Sequence, residues 1–201
     1  MTKAIGFIGL GVMGFPMAGH LSQHNRIAVF NRTKTKSEIW STKHKGTICS
    51  SPADLAKISD VIILCVCNDN DVRDIVTGHQ GLLNNLKPGT IVVDHTTTSA
   101  KLAKEMYELL DSNNVSYIDA PVSGGEVGAQ LGKLSIMVGG HKDAFDQIKS
   151  ILVPYTRLIK YMGLSGSGQY TKMVNQICIA GLIQALAEGI NFSEKVGLDT
   201  K

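Results

Sequence analysis

The chain has 201 residues, 43% of them hydrophobic and 18% charged, and its formal net charge is +3. This composition is typical of a soluble globular protein with a substantial core, large enough for one domain and an additional element. The mild charge shows no basic stripe with interleaved aromatic residues, so nucleic acid is not expected as a partner.

Cysteine use bears on the location of the protein. The four cysteines form no Cys-x-x-Cys pair, which fits a reducing compartment; they are Cys49, Cys65, Cys67 and Cys178. An apolar strand is predicted directly at the start of the chain, so we expect no signal or transit peptide. These observations together predict a cytoplasmic protein.

Neither a membrane nor a metal is expected as a partner. The most apolar stretch lies near the end of the chain, but polar residues interrupt it at Asn175, Gln176, Gln184 and Glu188. His20 and His24 are spaced for one helix face, yet no third ligand accompanies them. We therefore predict no membrane span and no metal site.

Strands and helices alternate along the chain, which is typical of an open parallel sheet. After the apolar first strand, further strands are predicted at 26–30, 60–66, 90–94, 115–119, 134–138 and 157–161. Helices are predicted at 34–40, from 51, at 68–76, 99–110 and 142–152, and from 169 nearly to the end. The predicted fold is a Rossmann-like α/β structure, a doubly wound and mainly parallel sheet followed by a long helix.

A glycine-rich loop joins the first strand to the first helix with the spacing Gly-x-Gly-x-x-Gly. Gly9 permits a tight turn, Gly11 lets a pyrophosphate approach the backbone, and Gly14 lets the helix pack closely on the strand. The helix N-terminus adds N–H groups and a positive dipole end. Because strand and helix are both recognisable, a dinucleotide site is favoured over a plain turn. Its predicted residues are Gly9, Leu10, Gly11, Val12, Met13 and Gly14.

The segment after the second strand bears on the choice of nicotinamide cofactor. Asn31, Arg32 and Thr33 occupy the position that meets the adenosine ribose in this fold. An acidic residue there would bind the 2′-hydroxyl of NAD, whereas the planar guanidinium of Arg32 suits the 2′-phosphate of NADP. Lys34 and Lys36 add positive charge. The alternative is an exposed arginine in a basic loop, but its position favours NADP over NAD.

Two loops at the carboxyl ends of later strands are candidates for substrate binding. One contains Thr96, and the other contains Ser123, Gly124 and Gly125. A Ser-Gly-Gly segment offers a hydroxyl and unhindered backbone N–H groups, which can hold a carboxylate. Both loops also fit ordinary strand-end turns with a hydroxyl as helix cap. Spacing alone leaves both interpretations open.

The predicted long helix carries a candidate acid–base pair. Lys172 and Asn175 lie three residues apart and therefore share a helix face. Lys172 is the only lysine between Lys160 and Lys195, in a mainly apolar helix. Burial would lower its pKa and make it a usable proton donor and acceptor. The alternative is a lysine at a helix start whose amine reaches solvent.

Three segments together resemble the β-hydroxyacid dehydrogenases. They are Phe7–Met17, Asp119–Gly125 and Gly168-x-x-x-Lys172-x-x-Asn175. That family includes 3-hydroxyisobutyrate dehydrogenase, tartronate semialdehyde reductase and the glyoxylate and succinic semialdehyde reductases. The resemblance covers essentially the whole chain.

The resemblance implies a role for each candidate residue. Lys172 would be the catalytic acid/base and Asn175 would orient the substrate. The segment from Ser123 to Gly125 would hold the substrate, and Thr96 would lie beside the nicotinamide and the substrate. The segment from Asn31 to Thr33 resembles the NADP-using reductases. The implied reaction interconverts a short 3-hydroxyacid and its semialdehyde with NADP. The alternative function is a nucleotide-binding module without turnover.

The resemblance also implies the domain organisation. Residues 1–163 would form the NADP-binding Rossmann domain, and residues 164–201 would begin an all-helical domain into which family members continue. The long helix is apolar almost all round, which indicates burial on several sides. A single Rossmann domain does not supply that cover. We therefore predict a homodimer through this helix, or cover by a further C-terminal piece.

Overall fold

The computed structural model describes residues 3–200, and the described residues form one nine-stranded sheet with helices on both faces. Met1, Thr2 and Lys201, which fall within the predicted domain bounds, lie outside the described residues. The strands are β1 (Ile5–Ile8), β2 (Ile27–Phe30), β3 (Thr47–Ile48), β4 (Val61–Leu64), β5 (Ile91–Asp94), β6 (Ser116–Asp119), β7 (Val122–Ser123), β8 (Leu134–Gly140) and β9 (Thr156–Gly163).

The helices alternate with these strands, as the sequence predicts, except that β7 follows β6 directly. They are α1 (Gly14–Ser22), α2 (Lys34–Lys43), α3 (Pro52–Lys57), α4 (Asp69–Thr77), α5 (Ala100–Asp111), α6 (Gly125–Gln130), α7 (Lys142–Leu152) and α8 (Ser167–Lys195). Short 3₁₀ turns at Leu83–Asn85 and Val153–Tyr155 complete the described elements.

The order across the sheet is β3-β2-β1-β4-β5-β6-β8-β7, and β9 pairs with β8. All pairings from β3 to β6 are parallel, whereas β8 runs antiparallel to β6 and β7. The chain winds in opposite directions from β1 and from β4, so the gap between these two strands is the place where this type of sheet binds ligands. The predicted Rossmann-like, mainly parallel fold is confirmed.

The core lies on both faces of the sheet. One apolar cluster joins the sheet to α1, α2 and α7, and the other joins it to α3, α4 and α5. Strand β4 reads Val-Ile-Ile-Leu and is buried throughout, as expected of a central strand covered on both faces.

Besides the 3₁₀ turns, two short strands and one short helix were not predicted. Strands β3 and β7 have two residues each, too few to show an alternating pattern. Helix α6 reads Gly-Glu-Val-Gly-Ala-Gln, and its two glycines and single buried residue hide a helical period. The last strand pair is longer than predicted, because both β8 and β9 continue into glycines at their carboxyl ends.

Helix α8 begins at Ser167, two residues before the predicted start, and the described residues leave most of it uncovered, as the sequence predicts for a single Rossmann domain. Gly168 and Gln169 are its buried residues. The large apolar side chains along the rest of the helix are exposed: Met173, Val174, Ile177, Ile179, Leu182, Ile183, Leu186, Ile190 and Phe192. By length and composition alone, α8 is also long and apolar enough to cross a membrane. The apolar pattern predicts a covered helix, and no described element packs along most of it.

Candidate functional site

The glycine loop after β1 has the geometry of a phosphate cradle. Gly9 has φ +99°, and a Cβ there would lie 2.2 Å from the Cys65 carbonyl oxygen. A Cβ on Gly14 would lie 1.9 Å from the Gly9 carbonyl oxygen, so α1 approaches the strand end as closely as backbone atoms allow. A Cβ on Gly11 would meet no atom within 4 Å. The loop is therefore closed on itself at Gly9 and Gly14 and open to a ligand at Gly11, which fits a dinucleotide pyrophosphate.

A groove of about 720 Å³ runs from this loop along the ends of β1, β2 and β4. Most of the predicted cofactor residues line it: Gly9, Gly11, Val12, Met13, Gly14, Asn31, Arg32 and Thr33. Leu10 does not line it. Its side chain is buried in the core, and its backbone N–H donates to Asn31 Oδ1 at 2.8 Å.

Asn31 connects the glycine loop to the segment that follows β2. Its Oδ1 accepts from Leu10 in the glycine loop, and its Nδ2 donates to the Thr33 carbonyl at 3.0 Å. Both polar ends of the side chain are thus used within the protein. Asn31 positions the groove walls, whereas Arg32 and Thr33 are exposed at the surface.

Arg32 has a partner that the sequence argument missed. Its Nη1 donates to Asp71 Oδ1 at 2.9 Å, and Asp71 also lines the groove. The sequence places no carboxylate at the end of β2, but α4 delivers one there from 39 residues further along the chain. The ribose end of the groove therefore contains both an arginine and a carboxylate.

Thr96 lies behind the groove, at the end of β5. It is buried, and its Oγ1 accepts from the Val66 N–H at 3.1 Å. Its own N–H donates to Asp94 Oδ1 at 2.8 Å, and Tyr117 donates its hydroxyl to Asp94 Oδ2 at 2.7 Å. Burial raises the pKa of the Asp94 carboxyl to about 6 despite these donors. Asp94 and Val66 thus hold the Thr96 loop in place.

The hydroxyl of Ser99 caps α5, because its Oγ accepts from the Leu102 N–H.

The Ser-Gly-Gly segment forms the exposed junction between β7 and α6. Ser123 ends β7, paired with Ser135 of β8, and is partly buried. Gly124 and Gly125 have φ +133° and +61°, which glycine adopts without strain. A Cβ on Gly125 would meet no atom within 4 Å. The segment leaves a hydroxyl and open backbone at the edge of the sheet.

Lys172 and Asn175 lie in the first turns of α8, both partly buried beside exposed neighbours. Desolvation by burial lowers the pKa of the Lys172 amine from its ordinary value. Asn175 donates its Nδ2 to Gln176 Oε1 at 3.1 Å. The cofactor groove does not contain Lys172, Asn175, Ser123 or Thr96 in its lining.

Two residues outside the predicted set anchor the start of α8. The buried Asp119, at the end of β6, accepts from the Gly166 and Gln169 N–H groups at 2.8 and 3.0 Å. Burial raises the pKa of its carboxyl, against the lowering effect of those N–H donors. Gln169 is buried, donates to the Thr96 carbonyl at 2.8 Å, and accepts from the Thr98 N–H at 3.1 Å. The Thr96 loop and the helix of Lys172 are therefore one hydrogen-bonded unit.

The sequence model of the NAD binding domain of 6-phosphogluconate dehydrogenase matches residues 4–163. The chain is 46% identical over 196 residues to an uncharacterised oxidoreductase of Shewanella frigidimarina, covering 97% of this chain and 67% of that protein. It superposes on 3-hydroxyisobutyrate dehydrogenase of Mycobacterium tuberculosis, solved with L-serine, with a TM-score of 0.93 and 30% identity. The chain belongs to the 3-hydroxyisobutyrate dehydrogenase-like family.

The superposition on that family member covers the whole chain, α8 included, and 68% of the M. tuberculosis protein. A further similar structure, Psf3 in complex with NADP⁺ and 2-OPP, has a TM-score of 0.89 and 28% identity, covering 97% of this chain and 69% of that one. The chain thus spans about two thirds of the length of these relatives. It is a hydroxyacid dehydrogenase-like oxidoreductase chain with an NAD(P)-binding domain.

Family membership accounts for the groove and the glycine loop, which short-range sequence motifs predict. Asp71, Asp119 and Gln169 were missed because each acts on residues far away in sequence. One signal was available: Asp119 is a carboxylate at the end of an otherwise apolar strand, and buried charges require partners. Among residues 3–200, no group of three or more His, Cys, Asp and Glu side chains could hold a metal ion.

Proposed function

We propose that the chain is the NADP-binding and catalytic-lysine part of an oxidoreductase that interconverts a short 3-hydroxyacid and its semialdehyde. The observation that carries this proposal is the position of Lys172. It lies one helical turn after Gln169, which hydrogen-bonds the Thr96 loop behind the cofactor groove. Its amine is partly desolvated, with a lowered pKa, as an acid/base lysine requires.

In this proposal the nicotinamide of the bound cofactor supplies the hydride, and the chain supplies the proton and the positioning. Lys172 donates a proton from Nζ to the alkoxide oxygen that forms as the carbonyl is reduced. Its ammonium also stabilises the negative charge that develops on that oxygen. In the oxidative direction, the neutral Lys172 amine removes the hydroxyl proton.

The substrate class follows from the Ser-Gly-Gly segment and from a relative. Ser123 and the open backbone of Gly124 and Gly125 suit a carboxylate, and Asn175 lies one turn beyond Lys172 to orient the reacting end. The M. tuberculosis relative was solved with L-serine, which is itself a carboxylic acid with a hydroxyl on its third carbon. This supports a short 3-hydroxyacid as the substrate of this chain.

Arg32 supports NADP as the cofactor. Its exposed guanidinium lines the ribose end of the groove, where a 2′-phosphate would lie. The relative Psf3 was solved with NADP⁺. Lys36 lines the same groove and adds a second positive charge.

A second candidate function is a nucleotide-binding module without turnover. The observation that favours it is the exposed apolar surface of α8, the helix that carries Lys172. The chain also spans two thirds of its relatives' length, so about a third of each relative lies outside the match.

We further propose a cytoplasmic protein organised as 1–163 and 164–201, in which a second copy covers α8 to form a homodimer. An exposed apolar surface of this extent marks an interaction site in a soluble protein. The polar residues Asn175, Gln176, Gln184 and Glu188 lie along α8, which favours a protein partner over lipid.

Turnover separates the two candidate functions. We expect NADPH oxidation with at least one of glyoxylate, succinic semialdehyde, tartronate semialdehyde and methylmalonate semialdehyde. Lys172→Ala should lower kcat roughly a hundredfold to ten-thousandfold, with the NADPH Kd within about twofold of the parent. Lys195→Ala, which removes an exposed lysine from the last turn of the same helix, is the matched control and should retain activity.

Full activity in Lys172→Ala would refute the lysine's role. NADPH binding without oxidation in the presence of any of the four substrates would favour the module without turnover.

A further inference from the structure

The ribose end of the cofactor groove contains an ion pair whose two side chains differ strongly in solvent exposure. Arg32 Nη1 and Asp71 Oδ1 are 2.9 Å apart, and both residues line the groove. The Arg32 side chain is 83% exposed, whereas the Asp71 side chain is 16% exposed. The carboxylate is thus largely enclosed by protein, and the guanidinium reaches over to it.

Asp71 is fixed by the helix that carries it. Its N–H donates to Asn68 Oδ1 at 3.0 Å, the N-cap bond of α4, so Asp71 lies in the first turn. A carboxylate in the first turn of a helix is stabilised as an anion by the helix dipole. The carboxylate of Asp71 is therefore placed at this end of the groove by the first turn of α4.

A 2′-phosphate at the ribose would be a second anion for the same guanidinium. Arginine can serve two anions because it carries five N–H donors. The Asp71 carboxylate already engages Nη1, so a phosphate would have to compete with it for the guanidinium. NAD carries no such phosphate, so its binding does not meet this competition.

We propose that Asp71 is a specificity-determining residue of the cofactor site, which competes with the 2′-phosphate for Arg32 and narrows the preference for NADP over NAD. The inference rests on the proposed function, because it requires Arg32 to meet the 2′-phosphate. It goes beyond that function by naming the residue that limits the preference.

The experiment measures the Kd of NADPH and of NADH by fluorescence titration of the 201-residue chain. In Asp71→Asn, which preserves shape and removes the charge, NADPH should bind roughly twofold to fivefold more tightly, because the carboxylate no longer competes for the Arg32 guanidinium. NADH affinity should change less than about twofold. Asp74→Asn is the matched control, since Asp74 lines the same groove one turn along α4 without being the partner of Arg32.

Arg32→Ala separates a failure of the proposed role of Asp71 from a failure of the NADP assignment on which that role rests. This variant should weaken NADPH binding and leave NADH binding nearly unchanged, and adding Asp71→Asn to it should then have no further effect on the NADPH to NADH ratio. If Arg32→Ala weakens NADPH but Asp71→Asn leaves the ratio unchanged, or Asp74→Asn shifts it equally, the role of Asp71 is overturned. If Arg32→Ala leaves both affinities unchanged, the NADP assignment fails and the role of Asp71 fails with it.

Discussion

The cofactor groove and the start of α8 provide the two halves of the proposed site, and they are constructed by different means. The groove is formed by backbone: a loop between β1 and α1 closes on itself at Gly9 and Gly14. The start of α8 is fixed by side chains, because Asp119 and Gln169 hydrogen-bond to backbone groups 47 to 73 residues away in sequence. The first construction is local in sequence, and the second is long-range.

This difference determines what a single substitution can do in each half. In the groove, an added methyl group either collides with backbone or enters the space reserved for the ligand. At the start of α8, removing a side chain leaves buried backbone groups without partners, which costs stability at a distance from the cofactor. Binding and catalysis are therefore expected to be separable by mutation.

The largest effects on stability are expected in the glycine loop. In Gly14→Ala, the new carbon would lie 1.9 Å from the Gly9 carbonyl oxygen and 3.0 Å from the Phe7 ring. Separating them must shift α1, and we expect a loss of about 3 kcal/mol in the free energy of unfolding. Urea denaturation measures this loss.

Gly11→Ala is the matched variant in the same loop. Its methyl group meets no protein atom within 4 Å, so the unfolding transition should be unchanged. NADPH binding should weaken roughly tenfold or more, about 1.4 kcal/mol, because the methyl occupies the approach of the pyrophosphate. Equal stability losses in both variants, or unaltered NADPH binding by Gly11→Ala, would contradict the cradle assigned to this loop.

An intermediate effect is expected at Gln169, where the two halves meet. Gln169→Ala leaves the Thr96 carbonyl and the Thr98 N–H without their partner. We expect about 2 kcal/mol lower stability and a reduced kcat, with little change in NADPH affinity because the groove lining excludes Gln169. Stability comes from urea denaturation, kcat from NADPH oxidation, and affinity from fluorescence titration.

Gln184→Ala is the control on the same helix, since Gln184 is exposed and bonded to Glu188. It should alter stability by less than about 0.5 kcal/mol. A Gln169→Ala variant that loses NADPH affinity as strongly as turnover would show that the two halves are not separable.

The smallest effect on the folding of one chain is expected along the exposed part of α8. We expect light scattering to give the mass of a dimer, and Leu182→Glu to shift it to a monomer, because a charge enters the proposed apolar contact. The stability of the monomer should change by less than about 0.5 kcal/mol, since Leu182 is exposed. Gln184→Glu adds the same charge two residues away as a control. A parent chain that is already monomeric would refute the homodimer.

The sequence predicts the backbone geometry of the glycine loop but not the long-range hydrogen bonds at the start of α8. The spacing of Gly9, Gly11 and Gly14 is enough to predict a loop in which side chains would not fit. The apolar run of β4 is enough to predict that this strand is buried. The hydrogen bonds of Asp119 and Gln169 depend on how distant strands and helices come together, which no local spacing encodes.

The same reasoning explains why the sequence did not predict the partner of Arg32. The end of β2 is visible in the sequence, but the approach of Asp71 depends on the position of α4 across the groove. Leu10 does not line the groove for another reason: it lies within the glycine motif, but its side chain is buried in the core. A motif predicts backbone geometry more reliably than side-chain direction.

The contact between Gly168 and the sheet has a mechanical consequence. A Cβ at Gly168 would lie 2.5 Å from the Asp119 carbonyl oxygen and 2.6 Å from the Met137 carbonyl oxygen. The start of α8 therefore lies directly against the sheet backbone. The 29 residues of α8 extend about 43 Å at 1.5 Å per residue. A tilt of α8 by about 5° about the contact at Gly168 would move the C-terminal end of the helix by about 4 Å but move Lys172 by less than about 1 Å. A small tilt about this contact would therefore move the outer end of α8 and leave Lys172 nearly in place.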